Sequence, residues 1–305
     1  MSSTTVCRFD GRVAIVTGAG SGLGRSHALL LAARGAHVVV NDLDETAAQA
    51  TVDLIATENG AATAHAGDVS SEREVGELVA ETMTAFGRLD IVVNNAGLLR
   101  ANDFGDMTVD DFDRVIAVNL RSSFLVTHAA WPHMVAQQYG RIISTTSNSG
   151  LLGTAGSTAY ATAKAGIWGL TKSLAQEGAL NGINVNAIAP IAYTPMSATS
   201  RIAPRSWQSG QGNAWSQRLD VNRVSPVVAW LAHEDCTSTG HVLSAAGGRV
   251  AEFRMGLTAG YVDEDLDIET VQANQGAFDA QSAVDFYSRA AEEAFALHQR
   301  LMGLR

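Results

Sequence analysis

The chain has 305 residues, of which 46% are hydrophobic and 17% charged, a balance typical of a globular protein with a sizeable core. Its formal net charge of −10 disfavours a nucleic-acid partner, because phosphate binding requires a basic surface. Cys7 and Cys236 are too few and too distant for a disulfide framework or a zinc cluster, so we expect no metal site and a reducing, cytoplasmic location. No apolar run reaches the roughly 20 residues of a membrane span, so we expect no membrane partner.

Strands and helices alternate along the first 190 or so residues. Apolar, β-branched runs bounded by glycine predict strands at 12–19, 36–42, 62–69, 89–97, 140–147 and 183–190. Periodic segments between them predict helices at 25–35, 45–60, 71–87 and 108–138, and a further helix that carries Tyr160 and Lys164. This alternation predicts an α/β fold, a doubly wound parallel β-sheet of the Rossmann type with helices on both faces.

Residues 197–220 interrupt the alternation with a stretch rich in Ser, Gly, Gln and Asn that contains Trp207. The stretch follows the carboxyl end of a strand, where open α/β sheets bind ligands, so we interpret it as a lid; a passive surface loop is the alternative. A helix and a last strand ending at Gly248 then complete a predicted catalytic domain over 1–250. Residues 251–305 are predicted to be an extension that ends in a helix at 280–301 and packs on the core or on a neighbouring subunit.

The segment TGAGSGLGR at 17–25 joins the first predicted strand to the first helix. Gly18, Gly22 and Gly24 stand where a tight turn, a close backbone approach and close helix packing would each exclude a Cβ atom. The helix that follows offers free N–H groups and a partial positive charge to a diphosphate. A glycine-rich turn alone is often only a turn, but with this strand and helix beside it the segment predicts a nucleotide site.

An acidic residue, Asp42, ends the second predicted strand. A carboxylate at this place can accept hydrogen bonds from the adenosine ribose and repels a 2′-phosphate, which predicts NAD rather than NADP. The alternative is a helix-capping aspartate. Arg25 is the basic residue of the glycine segment, and its place at the start of the helix leaves its role ambiguous.

The segment AYATAK at 159–164 places Tyr160 and Lys164 four residues apart, and therefore on one face of a helix. Taken alone, this pair is also typical of a partly buried aromatic residue beside a solvated lysine. The other motifs of the chain decide between the two interpretations.

Together these motifs resemble the short-chain dehydrogenase/reductase family over about residues 9–250. The resemblance rests on TGAGSGLG at 17–24, Asp68 in GDV, NNAG at 94–97, Asn119 in VNL, Ser147, and the pair Tyr160 and Lys164. It implies an NAD-dependent enzyme that oxidises a secondary alcohol reversibly to a ketone by hydride transfer. It also implies a homotetramer or a homodimer.

The resemblance assigns roles to individual residues. Tyr160 would be the general acid/base with a pKa lowered by Lys164, Ser147 would bind the substrate oxygen, and Asn119 would hold a water of a proton relay. The implied cofactor contacts are Gly18, Ser21, Gly22, Leu23, Gly24, Asp42, Asp68, Val69, Asn95, Ala96, Gly97, Tyr160, Lys164, Pro190 and Thr194. The predicted substrate contacts are Ser147, Leu151, Tyr193 and Trp207. After Pro190 the family often has glycine, whereas this chain has Ile191.

Further stretches narrow the resemblance. VVVNDL at 38–43, VVNNAGLLR at 92–100 and QYGRII at 138–143 resemble the hydroxyacyl-CoA dehydrogenase domain of the type 2 peroxisomal multifunctional enzymes, which also acts as a hydroxysteroid dehydrogenase. They imply a bulky, lipid-like alcohol such as a hydroxysteroid or a 3-hydroxyacyl-CoA. Two alternatives stay open: a dehydrogenase of a small cyclic or terpene alcohol, and an NAD(H)-binding regulatory protein without turnover.

Overall fold

A computed structural model describes residues 6–194, 196, 217–258, 260–277 and 284–301. The chain divides into two compact units, Met1–Glu252 and Phe253–Arg305. Of the predicted lid at 197–220, only residues 217–220 are described, and Trp207 lies outside the described residues. The lid and the role of the extension therefore stay predictions.

The first unit is built on an eight-stranded sheet. Its strands are β1 (Val13–Thr17), β2 (His37–Asp42), β3 (Ala61–Ala66), β4 (Ile91–Asn94), β5 (Gly140–Thr145), β6 (Ile183–Ile191), β7 (Val242–Ala246) and β8 (Arg249–Glu252). Their spatial order is β3-β2-β1-β4-β5-β6-β7-β8, with every neighbouring pair parallel except β7 and β8. The predicted doubly wound sheet is thus confirmed. Its strand order reverses between β1 and β4, the point at which such sheets form a ligand crevice.

One edge of the sheet differs from the prediction. The strand predicted to be the last, β7, is followed by an antiparallel strand, β8, that begins at Arg249. The two residues between them are Gly247 and Gly248, with φ of 58° and 92°. A two-residue hairpin of type I′ needs positive φ at both positions, so the glycine pair ends one strand and turns the chain back into another.

Eight helices of the described residues accompany the sheet in the first unit. They are α1 (Gly22–Ala33), α2 (Glu45–Thr57), α3 (Glu72–Phe86), α4 (Val109–Ile116), α5 (Ser122–Gln137), α6 (Asn148–Leu152), α7 (Thr158–Gly178) and α8 (Ser225–Ala232). Alternate residues of β1 face opposite sides: Ala14 and Val16 join a buried cluster with Val228 of α8, whereas Ile15 joins another with Leu78 of α3. Because both faces are covered, β1 is apolar at nearly every position rather than alternately.

The helix predicted over 108–138 is interrupted. It begins after Thr108, whose side chain caps the Asp111 N–H at 3.0 Å, and α4 ends at Ile116. A π-helical turn over Ala117–Arg121 follows, and α5 continues from Ser122. The wide turn inserts one extra residue into the helical register, a feature that concentrates at functional sites.

The second unit contains a two-stranded antiparallel pair and two helices among its described residues. They are β9 (Gly256–Thr258), α9 (Ile268–Ala273), β10 (Val284–Phe286) and α10 (Ala290–Leu301). The helix predicted over 280–301 therefore starts ten residues later than expected. Glu292 accepts hydrogen bonds from the N–H groups of Ser288 and Arg289, which fixes the start of α10, and the preceding residues pair with β9 instead. Among the described helices, none combines the length and the hydropathy needed to span a bilayer.

Candidate active site

A cavity of about 690 Å³ lies at the carboxyl ends of β1 to β6. Sixteen of the predicted site residues line it: Gly18, Ser21, Gly22, Leu23, Asp42, Asp68, Val69, Asn95, Ala96, Gly97, Asn119, Ser147, Tyr160, Lys164, Pro190 and Thr194. Residues as far apart in sequence as Gly18 and Thr194 are thereby brought to one place, because parallel strands present their carboxyl ends at the same edge.

Three described residues of the prediction do not line this cavity: Gly24, Leu151 and Tyr193. Gly24 lies behind the glycine loop, where its backbone packs directly against that of Gly18. The Tyr193 N–H bonds to the carbonyl of Leu219 at 2.8 Å, which ties that segment to the chain that follows the undescribed stretch. Leu151 belongs to the short helix α6, whose first two residues, not Leu151, face the cavity. The role of Leu151 and Tyr193 as substrate contacts stays a prediction.

Steric packing explains the glycines of the loop. Gly18 and Gly22 have φ of 60° and 55°, and a Cβ on Gly18 would lie 2.8 Å from Cα of Ala96. A Cβ on Gly24 would meet the Gly18 carbonyl oxygen and, at 2.5 Å, Nδ2 of Asn95. The loop therefore packs directly against the end of β4, and the space above the loop is part of the cavity.

The segment after β4 holds the glycine loop in place. The hydroxyl of Thr17 accepts hydrogen bonds from the N–H groups of Asn95 and Ala96, at 3.0 and 3.1 Å. The Asn95 side chain donates to the carbonyls of Thr17 and Gly18, at 3.0 and 3.2 Å. Four hydrogen bonds therefore join the two loops that border the crevice and hold them in a fixed arrangement.

Asp42 is fixed by backbone donors. Its Oδ2 accepts the Gly20 N–H at 2.8 Å and its Oδ1 accepts the Asp44 N–H at 3.1 Å. The alternative role of helix cap belongs to Asp44, which caps α2. Arg25 donates to the Gly20 carbonyl and, at 3.0 Å, to Thr51, and it does not line the cavity. The ambiguous arginine is thus part of the loop's support and is not presented to a ligand.

Asp68 lies at the same end of the cavity. Its Oδ1 accepts the N–H and the hydroxyl of Ser70 at 2.8 and 2.6 Å, while its own N–H donates to Glu74. Partial burial acts to raise the pKa of Asp68, but the hydrogen bonds from Ser70 and the charge of Arg114 hold it below its usual range. The carboxylate therefore stays ionised and in a fixed orientation.

Lys164 and Tyr160 face the other end of the cavity from one side of α7. The ammonium nitrogen of Lys164 lies 5.6 Å from the centre of the Tyr160 ring and donates to the carbonyl of Thr145 at 2.7 Å. The lysine is only 3% exposed, and burial lowers its pKa to about 8. An amine with such a pKa can both release and accept a proton near neutrality.

The pKa of Tyr160 departs from the sequence expectation. Burial raises the pKa of Tyr160 above its ordinary value, and the hydrogen bond with Ser147 acts in the opposite direction. The expected lowering by Lys164 is absent, because the protein groups around the phenol desolvate it more than they stabilise its anion. Ser147 is itself held by the Ser149 N–H at 3.1 Å and donates to the side chain of Asn148 at 3.3 Å.

Asn119 is fully buried in the π-helical turn. Its side-chain amide donates to the carbonyls of Leu98 and Val115, at 2.7 and 2.9 Å, and its Oδ1 accepts the Leu98 N–H at 3.2 Å. Both amide hydrogens are thus used by the protein. Only acceptor capacity is left for the water that the resemblance assigns to this residue.

Thr145 and Arg114 are two of the polar cavity residues that the sequence analysis did not predict. The hydroxyl of Thr145 is buried and has no hydrogen-bond partner among the described residues. Arg114 of α4 enters the cavity wall 4.0 Å from Asp68. Neither belongs to a motif; the position of Thr145 two residues before Ser147 was the one available signal.

The residues of this cavity fit a dinucleotide. The loop presents glycines where a Cβ would clash, the side chain of Ser21 leaves the first N–H groups of α1 uncapped, and the hydroxyl of Thr145 is a buried group that a ligand can satisfy. Acceptors at one end and a Tyr–Lys–Ser group at the other are placed for the two halves of such a molecule.

The sequence profile described as short chain dehydrogenase matches residues 12–204. The chain belongs to the short-chain dehydrogenase family. It is therefore an oxidoreductase that acts on CH–OH groups and uses a nicotinamide cofactor.

Individual relatives share much of the sequence. The chain is 42% identical over 265 residues to the peroxisomal multifunctional enzyme type 2 of Mus musculus, an alignment that covers 84% of this chain and 34% of that protein. It is 38% identical over 244 residues to the BbsD subunit of a hydroxy(phenyl)methylsuccinyl-CoA dehydrogenase of Thauera aromatica, covering 79% and 97%. The predicted resemblance to the type 2 multifunctional enzymes is confirmed.

A solved structure shows the same fold. The full-length peroxisomal multifunctional enzyme type 2 of Drosophila melanogaster superposes with a TM-score of 0.80 at 35% identity, covering 98% of this chain and 51% of that one. The chain thus spans about a third to a half of the length of these peroxisomal multifunctional enzymes. Their names place those proteins in peroxisomes, and the cytoplasmic location expected for this chain stays a prediction.

Proposed function

We propose that this chain is an NAD-dependent dehydrogenase that oxidises a secondary alcohol on a bulky, lipid-like substrate, a 3-hydroxyacyl-CoA or a hydroxysteroid. The observation that carries the proposal is the convergence of Ser147, Tyr160 and Lys164 on the cavity that the glycine loop borders. Asp42 beside that loop supports NAD, because its carboxylate disfavours a 2′-phosphate. The name of the Thauera aromatica relative, a succinyl-CoA dehydrogenase subunit, supports a CoA-linked substrate.

Oxidised nicotinamide held in this cavity would supply the hydride acceptor and, before the transfer, a positive charge. Ser147 donates a hydrogen bond to the substrate oxygen in place of its bond to Asn148, and the Ser149 N–H orients its Oγ for this. Tyr160 takes the alcohol proton at its phenolic oxygen. Lys164 stabilises the phenolate and, with a pKa of about 8, passes the proton on. Asn119 locks the loop at Leu98 to the π-helical turn, which keeps this group together.

The first test is NADH formation by the purified chain with NAD or NADP against 3-hydroxyacyl-CoA thioesters, hydroxysteroids and small cyclic secondary alcohols. Turnover with NAD on a thioester or steroid supports the proposal. Turnover confined to small cyclic alcohols would remove the substrate class, and NADP preference would contradict the role of Asp42. NAD binding without turnover would leave the regulatory alternative.

Two matched pairs of variants sharpen this test. We expect Tyr160→Phe to lower kcat/KM by about 10²- to 10⁴-fold. Tyr139→Phe is its control, because that ring lies between two arginines and does not line the cavity. Asp42→Ala should weaken NAD binding by about 10- to 100-fold, because it removes charged hydrogen-bond acceptors. It should also lower the ratio of the affinity for NAD to the affinity for NADP. Asp44→Ala, which removes only the cap of α2, should leave the preference unchanged.

A further inference from the structure

Arg114 is the cavity residue for which the proposed function has no use. It lies on α4, four residues before Val118, and both side chains line the cavity because that spacing places them on one helix face. The arginine is 52% exposed, and within the described part of the chain its ion-pair partner is Asp68, whose Oδ2 is 4.0 Å from the guanidinium. That distance is too long for a hydrogen bond, so the guanidinium plane is free to adjust to a ligand.

We infer that Arg114 binds the adenine ring of the dinucleotide, stacking its guanidinium on one face of the base while Asp68 and Val69 contact its edge. The inference rests on the proposed function, which puts the adenine at this end of the cavity. A guanidinium is planar and weakly hydrated, and it stacks on aromatic faces as an ammonium does not.

The hydrogen bonds of Asp68 support these separate roles for the guanidinium and the carboxylate. Its Oδ1 is occupied by the two hydrogen bonds from Ser70, so Oδ2, the oxygen that faces Arg114, has acceptor capacity for the amino group of adenine. A base that reaches this oxygen lies next to the guanidinium. The arginine and the carboxylate together then present one stacking surface and one acceptor.

The local charge favours a neutral ring over a phosphate as the group that Arg114 binds. Asp42 ends β2 and Asp68 follows the neighbouring strand β3, so two carboxylates and one guanidinium line this end of the cavity. A phosphate group from an acyl-CoA would be repelled by this net negative charge, whereas an uncharged base is not.

The test compares NADH with reduced nicotinamide mononucleotide, which carries the same nicotinamide ribose without the adenosine. Binding of each is measured by fluorescence titration of the full chain. We expect Arg114→Ala to weaken NADH binding by about 3- to 30-fold and to leave binding of the mononucleotide within about twofold. Arg114→Lys, which keeps the charge but not the plane, should recover only part of the loss.

Arg100→Ala is the matched control. Arg100 is also 52% exposed and also lies near a single carboxylate, that of Asp111 at 3.7 Å, but it does not line the cavity. It should bind both nucleotides as the unaltered chain does. Equal loss of binding for both nucleotides in Arg114→Ala, or unchanged NADH binding, would overturn the inference. Because these are binding measurements, they stand even if no substrate is turned over.

Discussion

The buried ammonium of Lys164 should make folding stability depend on pH in a defined direction. Its pKa falls from an ordinary 10.5 to about 8 because burial disfavours the charged form. Between these values the unfolded chain binds more protons than the folded one, so the free energy of unfolding rises with pH across this window. Below it the burial penalty is complete and amounts to about 3 kcal/mol, at about 1.4 kcal/mol for each pH unit.

Replacing the lysine by methionine removes this titration while keeping a side chain of similar length. Relative to Lys164→Met, the unaltered chain should gain about 2 kcal/mol of stability between roughly pH 7 and 9.5, where most of the window lies. Urea unfolding followed by tryptophan fluorescence at a series of pH values measures the difference. At neutral pH, Lys164→Met should be more stable than the unaltered chain only if the free-energy penalty of burying the ammonium exceeds the stabilisation from its hydrogen bond to Thr145.

The control is Lys172→Met, which removes a half-buried lysine two turns further along α7 that lies 5.4 Å from the ring of Trp168. The rise in stability with pH should be larger in the comparison with Lys164→Met than in the comparison with Lys172→Met, because Lys164 is the more deeply buried lysine. A flat difference for Lys164→Met would show that the pKa of Lys164 is not lowered in the folded chain, and the reasoning from burial would be wrong.

Two further predictions concern the packing of a glycine and a buried hydrogen bond. Gly18→Ala should lose about 1–3 kcal/mol of stability and bind NADH more weakly, because position 18 has φ of 60° and a Cβ there would lie 2.8 Å from Ala96. Its control is Gly76→Ala in α3, which has open space around it and should gain about 0.5–1 kcal/mol of stability. Asp90→Ala should lose about 1–3 kcal/mol because the buried Val13 N–H loses its acceptor at 2.9 Å, yet NADH affinity should not change, since this carboxylate lies at the amino ends of the strands. Urea unfolding and NADH titration check both, and a Gly18→Ala chain as stable as Gly76→Ala, or NADH affinity altered in Asp90→Ala, would contradict them.

The parts of the site that the sequence predicts are those defined by short-range geometry. The glycines of the loop follow from the backbone conformation they need, and the spacing of Tyr160 and Lys164 follows from the helical repeat. Asp42 lies beside the loop because it is the last residue of β2. Such features need no knowledge of distant contacts, so a single chain suffices to find them, and the cavity contains all of them except Gly24.

The parts that the sequence does not predict depend on contacts between distant segments. The π-helical turn at Ala117–Arg121 is accompanied by the hydrogen bonds that join Asn119 to Leu98, 21 residues earlier. Arg114 faces the cavity only because α4 crosses its wall, and its sequence neighbours are typical of any exposed helix. The pKa of Tyr160 is raised because desolvation outweighs the nearby hydrogen bond, a balance that no motif encodes.

Burial shifts the pKa values of Tyr160 and Lys164 in opposite directions, but it favours the uncharged form of both. Exposed tyrosine and lysine side chains titrate at nearly the same pH, at about 10. In the cavity they separate, so that Lys164 gives up its proton first, near pH 8. This difference in pKa opposes proton transfer from the Tyr160 phenol to the Lys164 amine, because the phenol holds its proton more tightly than the ammonium does. On the proposed mechanism, Tyr160 therefore acts as a base only when a positive charge in the cavity lowers its pKa, a charge that oxidised nicotinamide would supply when bound.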